Sequence, residues 1–262
     1  MARLLRIAVL AGLSLAAFVA GCAQTRNMLP ITPQRLAHGY VCYLDGAGGG
    51  GAMLNWSGGV KDGLVAAGYR GAAEMYNWET GLGDLADQVA DVAYKQRQAA
   101  LVATRLENIV QPYPAAPVSL IGLSAGAAVA VFTLEALPAD RSVDNVVLLG
   151  ASIGANYDLT KALRHVRHKL YVITSEQDVV LSFLVPMTGT ADRQADEAAA
   201  GLKGFIIPPD ADEETAQLYR QKVVTIRWTK SFERDHNFGR HLDNVNLEFV
   251  RDHVAPLLLG RN

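Results

Sequence analysis

Apolar residues follow two rhythms along this chain. Short, nearly unbroken apolar runs alternate with longer stretches in which apolar positions recur at helical spacing. The short runs fall at residues 40–44, 72–78, 118–121, 145–149, 169–174 and 222–228, and predict strands. Val146-Val147-Leu148-Leu149 is apolar at every position, as expected of a strand covered on both faces. The longer stretches predict helices over 59–67, 85–110, 127–137 and 159–166, with a closing helix from 245 towards Pro256. The 85–110 stretch is amphipathic and ends at Pro112, Pro114 and Pro117. Strands alternating with helices predict βαβ units and a mostly parallel sheet of about six strands. The fold class is therefore α/β, a three-layer sandwich with helices on both faces of the sheet. No internal repeat is visible.

Before residue 37 the pattern is different. Arg3 and Arg6 precede an apolar stretch over 7–20, broken only by Gly12 and Ser14. A bilayer span needs about 20 apolar residues, so this stretch is short for a membrane helix and fits the apolar part of an export signal. It ends in Val19-Ala20-Gly21-Cys22, which resembles a bacterial lipobox with Val where Leu is commoner. An ordinary cleaved signal and an uncleaved anchor are the competing readings. The resemblance implies a signal peptide over 1–21, acylation of Cys22, a tether over 22–36 and one domain over 37–262. Pro30 and Pro33 disfavour helix in the tether. Several acyl chains on one Cys hold a soluble domain firmly, at about 0.8 kcal/mol per buried CH₂. Ala23 is not Asp, so no inner-membrane retention signal of the enterobacterial type is present. The expected location is the bacterial cell envelope, at the periplasmic face of the outer membrane.

Charge and cysteine usage narrow the function classes. The chain carries 24 basic and 26 acidic residues, with no basic stripe interleaved with aromatics, so nucleic acid is not an expected partner. Lys161, Arg164, His165, Arg167, His168 and Lys169 form a local basic cluster, read either as a solvated face or as a contact with an anionic envelope surface. The only Cys besides Cys22 is Cys42, inside an apolar run, where it reads as a small buried hydrophobe. No Cys/His cluster points to a metal, and no cofactor is implied.

The chemistry-bearing signal is Gly122-Leu123-Ser124-Ala125-Gly126, between a predicted strand and a predicted small-residue helix. A G-x-S-x-G in that setting resembles the nucleophile elbow of the α/β-hydrolases. The turn is tight enough that side chains two residues before and after the Ser would collide, so both places need Gly or a very small residue. The resemblance covers about 38–259 and is to a minimal, cutinase-sized serine hydrolase. In that family the order is Ser, acid, His. The resemblance implies Ser124 as nucleophile and Asp178 as acid, on the loop after the 169–174 strand, with Glu176 as runner-up. The base is His241, just after Gly239 and before the closing helix, with His236 as the alternative. The oxyanion donors are the amides of Ala125 and, on the Gly-rich loop after the first strand, Ala47, with Gly48 next. Asp45 stands where His is common in the family, which leaves the shape of that loop open.

Trp56, Tyr76 and Trp78 fall near the C-terminal ends of strands and either line a cleft or pack the core. The long connection over 181–221 either walls an acyl pocket or is a core-packed helix with a surface loop. The expected activity is hydrolysis of carboxylester or thioester bonds through an acyl-enzyme, with a small-molecule or lipid ester as the substrate. Acyl transfer or amide cleavage with the same residues is an alternative, as is a non-catalytic binding lipoprotein. Gly46, Gly48 and Gly51 also satisfy G-x-G-x-x-G, so a dinucleotide-binding fold is a further alternative; it requires an acid such as Glu74 or Glu79 near the end of the second strand.

Overall fold

The computed structural model describes residues 25–49, 55–194 and 197–260. The signal segment, Cys22 and Gly51 lie outside the described residues. Among the described residues seven strands form one sheet: β1 (Thr25–Leu29), β2 (Tyr40–Leu44), β3 (Ala72–Tyr76), β4 (Val118–Leu123), β5 (Val143–Leu149), β6 (Val166–Thr174) and β7 (Val223–Arg227). Their order is β1-β3-β2-β4-β5-β6-β7. All neighbours run parallel except β1, which pairs antiparallel with β3.

The apolar strands serve both faces. Leu120, Leu148 and Val172 point into one core with α3 (Val92–Val110) and α4 (Ala125–Ala136), while Ile121, Val147 and Ile173 point into the other. The second core holds α1 (Ser57–Ala66) and the C-terminal helical segment through Phe249, Val250 and Val254. Gly59 and Gly63 let α1 lie directly on that segment. A Cβ at Gly59 would meet the Val245 carbonyl oxygen at 1.9 Å, and one at Gly63 would meet Val250 Cβ at 2.5 Å. α4 is buried along its whole length as far as Leu134, which explains its Ala-rich, all-round apolar sequence.

Three expectations change. The stretch 22–36, read as a tether, contains the edge strand β1 and a helical turn at Pro33–Leu36. Met28 and Leu29 are buried against the sheet, and β3 supplies the ladder that the local sequence does not advertise. Pro33 opens a helical turn, a position that needs no N–H, and Thr32 caps it. The elbow strand is therefore fourth in the chain rather than third. Finally, the 85–110 helix is two helices, α2 (Asp84–Val89) and α3. Ala90 is extended, and the Asp91 side chain takes the Tyr94 amide as an N-cap, which starts α3 afresh.

Candidate active site

β4 delivers Ser124 to the C-terminal edge of the sheet, and α4 begins at the next residue. Ser124 has φ 53° and ψ −120°, a strained conformation for a residue with a side chain. Its N–H donates to Leu149 O at 2.9 Å, and its carbonyl accepts from Ala127 N and Ser152 N. The flanking glycines are obligatory here. A Cβ at Gly122 would lie 2.7 Å from Ala127 Cα, and one at Gly126 would lie 2.3 Å from the carbonyl oxygens of Leu44 and Asp45.

Asp178 follows β6 on a short turn and is 1% exposed. One carboxylate oxygen accepts from Leu181 N at 3.0 Å; the other lies 2.6 Å from His241 Nδ1. A carboxylate can only accept, so the contact makes Nδ1 the protonated nitrogen and leaves Nε2 as an acceptor. Gly150, at φ +49°, packs beneath this pair: a Cβ there would sit 3.3 Å from His241 Nδ1 and 3.4 Å from Asp178 Oδ2. Glu176 is exposed and lies on the wall of another hollow, of about 500 Å³, between Thr174, Lys203 and Trp228. That hollow contains neither Ser124 nor His241.

The loop that carries His241 is held by its own hydrogen bonds. Trp228 Nε1 donates to Asn237 O at 3.0 Å, Asn237 Nδ2 to Asn244 Oδ1 at 3.1 Å, and Asn244 Nδ2 to His241 O at 3.3 Å. Gly239, at φ +84°, makes the bend. His236 is exposed, takes a left-handed conformation at φ 58° and is not on the cavity wall.

Ser124 and His241 open onto one cavity of about 400 Å³. Gly46 and Ala47 line the same cavity as Ser124; Trp56, Leu85, Leu123, Val180, Leu184 and Leu242 supply most of the apolar lining. Part of the 181–221 connection thus reaches the pocket, through Leu184 and Thr188. Neither His241 Nε2 nor Ser124 Oγ makes a hydrogen bond among the described residues, an open arrangement common before substrate closes such a contact. The Ala47 and Ala125 amides likewise donate to no acceptor among the described residues.

Asp45 shapes the loop that carries Ala47. Its carboxylate accepts from Tyr43 OH at 2.7 Å, Gly46 N at 2.9 Å and Trp56 N at 3.1 Å. Its carbonyl accepts from Trp78 Nε1 at 2.8 Å. Burial raises its carboxyl above the usual range, while the three hydrogen bonds and Arg26 pull it back. Gly48 N donates to Asp87, which also takes the Thr80 N–H and hydroxyl, so α2 braces the far side of the loop. The role of Asp45 as a loop brace was not evident from the sequence, although an Asp-Gly directly after a strand is a turn signal. Trp56 lines the cavity; Trp78 and Tyr76 are buried in the core.

The dinucleotide alternative meets an obstacle. Glu74 is fully buried in mid-strand, where it pairs with Arg105 at 2.7 Å and takes the Tyr40 hydroxyl. Among the described residues no group of three His, Cys, Asp or Glu side chains is placed to hold a metal ion. Cys42 is buried, and burial pushes its thiol up, so it remains protonated.

No protein-family model matches the chain, and no curated protein sequence matches it. Solved structures do. A poly(3-hydroxybutyrate) depolymerase from Bordetella parapertussis superposes with a TM-score of 0.52 at 15% identity, over 91% of this chain and 83% of that one. The chain has the α/β-hydrolase fold. Est1E from Butyrivibrio proteoclasticus (TM-score 0.48, 11% identity, 87% of this chain and 89% of that one) is a further neighbour. So is an esterase from Pyrobaculum calidifontis (0.47, 14%, 86% and 77%).

Proposed function

We propose that this protein is a serine hydrolase of carboxylester or thioester bonds, working through Ser124, His241 and Asp178. The observation that carries the reading is the 2.6 Å Asp178–His241 contact behind an imidazole that shares a cavity with Ser124. Ser124 Oγ attacks the carbonyl carbon as His241 Nε2 takes its proton, and the carbonyl π pair moves onto oxygen. The Ala47 and Ala125 amides stabilise that oxyanion. Collapse expels the alcohol or thiol, which receives the proton from His241, and leaves an acyl-Ser124 ester. Water then attacks with the same proton cycle and releases the acid. Asp178 holds the tautomer and stabilises the imidazolium. No metal or cofactor takes part.

The mostly apolar cavity lining supports an acyl or other organic ester over a highly charged substrate. The lipobox-like sequence supports export and anchoring at Cys22, on the periplasmic face of the outer membrane. The test is a panel of short carboxylesters and thioesters offered to the wild type and to Ser124→Ala. Turnover that disappears in the variant supports the reading; equal turnover in both contradicts it. Turnover of amides, or acyl transfer to added alcohols in preference to water, would move the assignment to those chemistries.

A further inference from the structure

The chain enters the sheet at the edge where Ser124 leaves it. Because β1 runs antiparallel, its first residue Thr25 pairs with Tyr76, the last residue of β3. Tyr76 pairs with Leu44, and Leu44 with Gly122, two residues before the nucleophile. Thr25, Tyr76, Leu44 and Gly122 form one row, and three strand spacings put its ends about 14 Å apart. In the sequence only Ala23 and Gln24 separate Cys22 from Thr25. Three residues reach at most about 10 Å even when fully extended. An acyl anchor on Cys22 is therefore confined to the catalytic edge of the sheet.

Several large apolar side chains that stand in solvent belong to the segments at that edge. Leu85, Leu184 and Leu242 line the cavity and are exposed; Leu82, Phe183 and Met187, one or two residues from the lining residues Asp84, Leu184 and Thr188, are exposed as well, Leu82 at 83% and Met187 at 84%. Apart from Leu242, on the His241 loop, they come from the α2 region and from the 180–188 segment, which are tied together where Gln88 Nε2 donates to Gly189 O at 3.2 Å. Exposed apolar surface gathered around one opening marks an interaction site. The basic cluster lies at the opposite end of the strands, and several of its members are engaged within the fold. Arg167 pairs with Asp144, Lys169 Nζ donates to Gln221 O, and His165 bonds Arg141 O. A five-residue strand is about 16 Å long, more than the reach of the Cys22 link, so a leaflet against that end would leave the anchor stranded.

We infer that the lipid leaflet holding the acyl chains of Cys22 is the surface that the Leu82–Phe183–Met187 rim contacts. The cavity then opens onto the membrane, and the substrate is an ester carried by a membrane lipid rather than one free in solution. The inference rests on the acylation of Cys22 and on the hydrolase reading above.

The test uses the full-length, membrane-extracted protein in vesicles of phosphatidylethanolamine and phosphatidylglycerol containing nitroxide-labelled lipid. A thiol fluorophore is placed at Met187→Cys, or at Asp140→Cys on the opposite edge; buried Cys42 does not compete for it. The expected result is quenching at 187 and none at 140. No quenching at 187, or equal quenching at both, overturns the docking. Intact mass of the same sample reads the state of Cys22, and an unacylated Cys22 overturns it as well. Quenching requires no turnover, so it distinguishes a failure of docking from a failure of the hydrolase reading. Turnover is read separately in Leu82→Asp combined with Met187→Asp. Hydrolysis of a vesicle-borne diacyl ester falls about tenfold or more, while that of a soluble short-chain ester stays within about twofold. Equal effects on the two esters, or no cleavage of the vesicle-borne one by wild type, overturn the substrate assignment.

Discussion

Asp178 and His241 are 63 residues apart in the chain, yet their Oδ2 and Nδ1 atoms meet at 2.6 Å. The contact sets which imidazole nitrogen can accept a proton. Asp178→Asn keeps the size and can keep the bond from Leu181 N, but it removes the fixed acceptor for Nδ1–H. The expected outcome is a fall in kcat of about 10³–10⁴-fold with little change in melting temperature. Steady-state kinetics beside a thermal melt check it; a loss explained by unfolding, or no loss, contradicts the role.

The two His residues of the C-terminal loop are expected to separate cleanly. His241→Ala lowers kcat/KM by about 10³-fold or more. His236→Asn, which tolerates the left-handed backbone at that site, leaves activity within about twofold. The reverse pattern would move the base to His236.

Most of the turn at Ser124 was legible because sterics write themselves into sequence. Gly122 and Gly126 are glycines because neighbouring backbone leaves no room for a Cβ. The Asp178 loop could be found because it follows a strongly apolar strand. The choice between His241 and His236 could not be read in the same way. It depends on the Trp228–Asn237–Asn244 hydrogen bonds, which join residues whose types occur in any polar loop. β1 was missed for a related reason: Thr25-Arg26-Asn27 carries no strand pattern, and the edge of β3 supplies the pairing. The α2–α3 break was hidden because both helices share one amphipathic rhythm, while Asp91 is a cap only in three dimensions.

Gly126→Ala tests the elbow's packing. The added Cβ would lie 2.3 Å from two backbone carbonyl oxygens, so either α4 or the β2 end must move. The expected cost is about 1–3 kcal/mol of stability together with loss of turnover. Denaturant melts and ester assays measure both; an unchanged variant would mean that the turn is looser than described.

Lys95 gives a pH dependence. Its side chain is buried, and Nζ donates to Gln88 O at 3.0 Å and Ala90 O at 2.8 Å, holding the end of α2 onto α3. Burial lowers its pKa from 10.5 to about 8; Arg193 adds to the shift, and Asp192, Asp87 and Asp91 oppose it. Between those values the unfolded chain binds more protons than the folded one, so stability rises with pH across the window and is insensitive below it. The melting temperature of wild type minus that of Lys95→Met is expected to climb from about pH 8 towards pH 10. A flat or falling difference contradicts the assignment.

The most direct measurement of the central claim is labelling with a fluorophosphonate, which reacts with activated serines, followed by peptide mapping. Modification at Ser124 that is lost in His241→Ala is the predicted result. A folded protein that takes no label, or takes it elsewhere, would contradict an activated Ser124 and leave the fold as a binding scaffold.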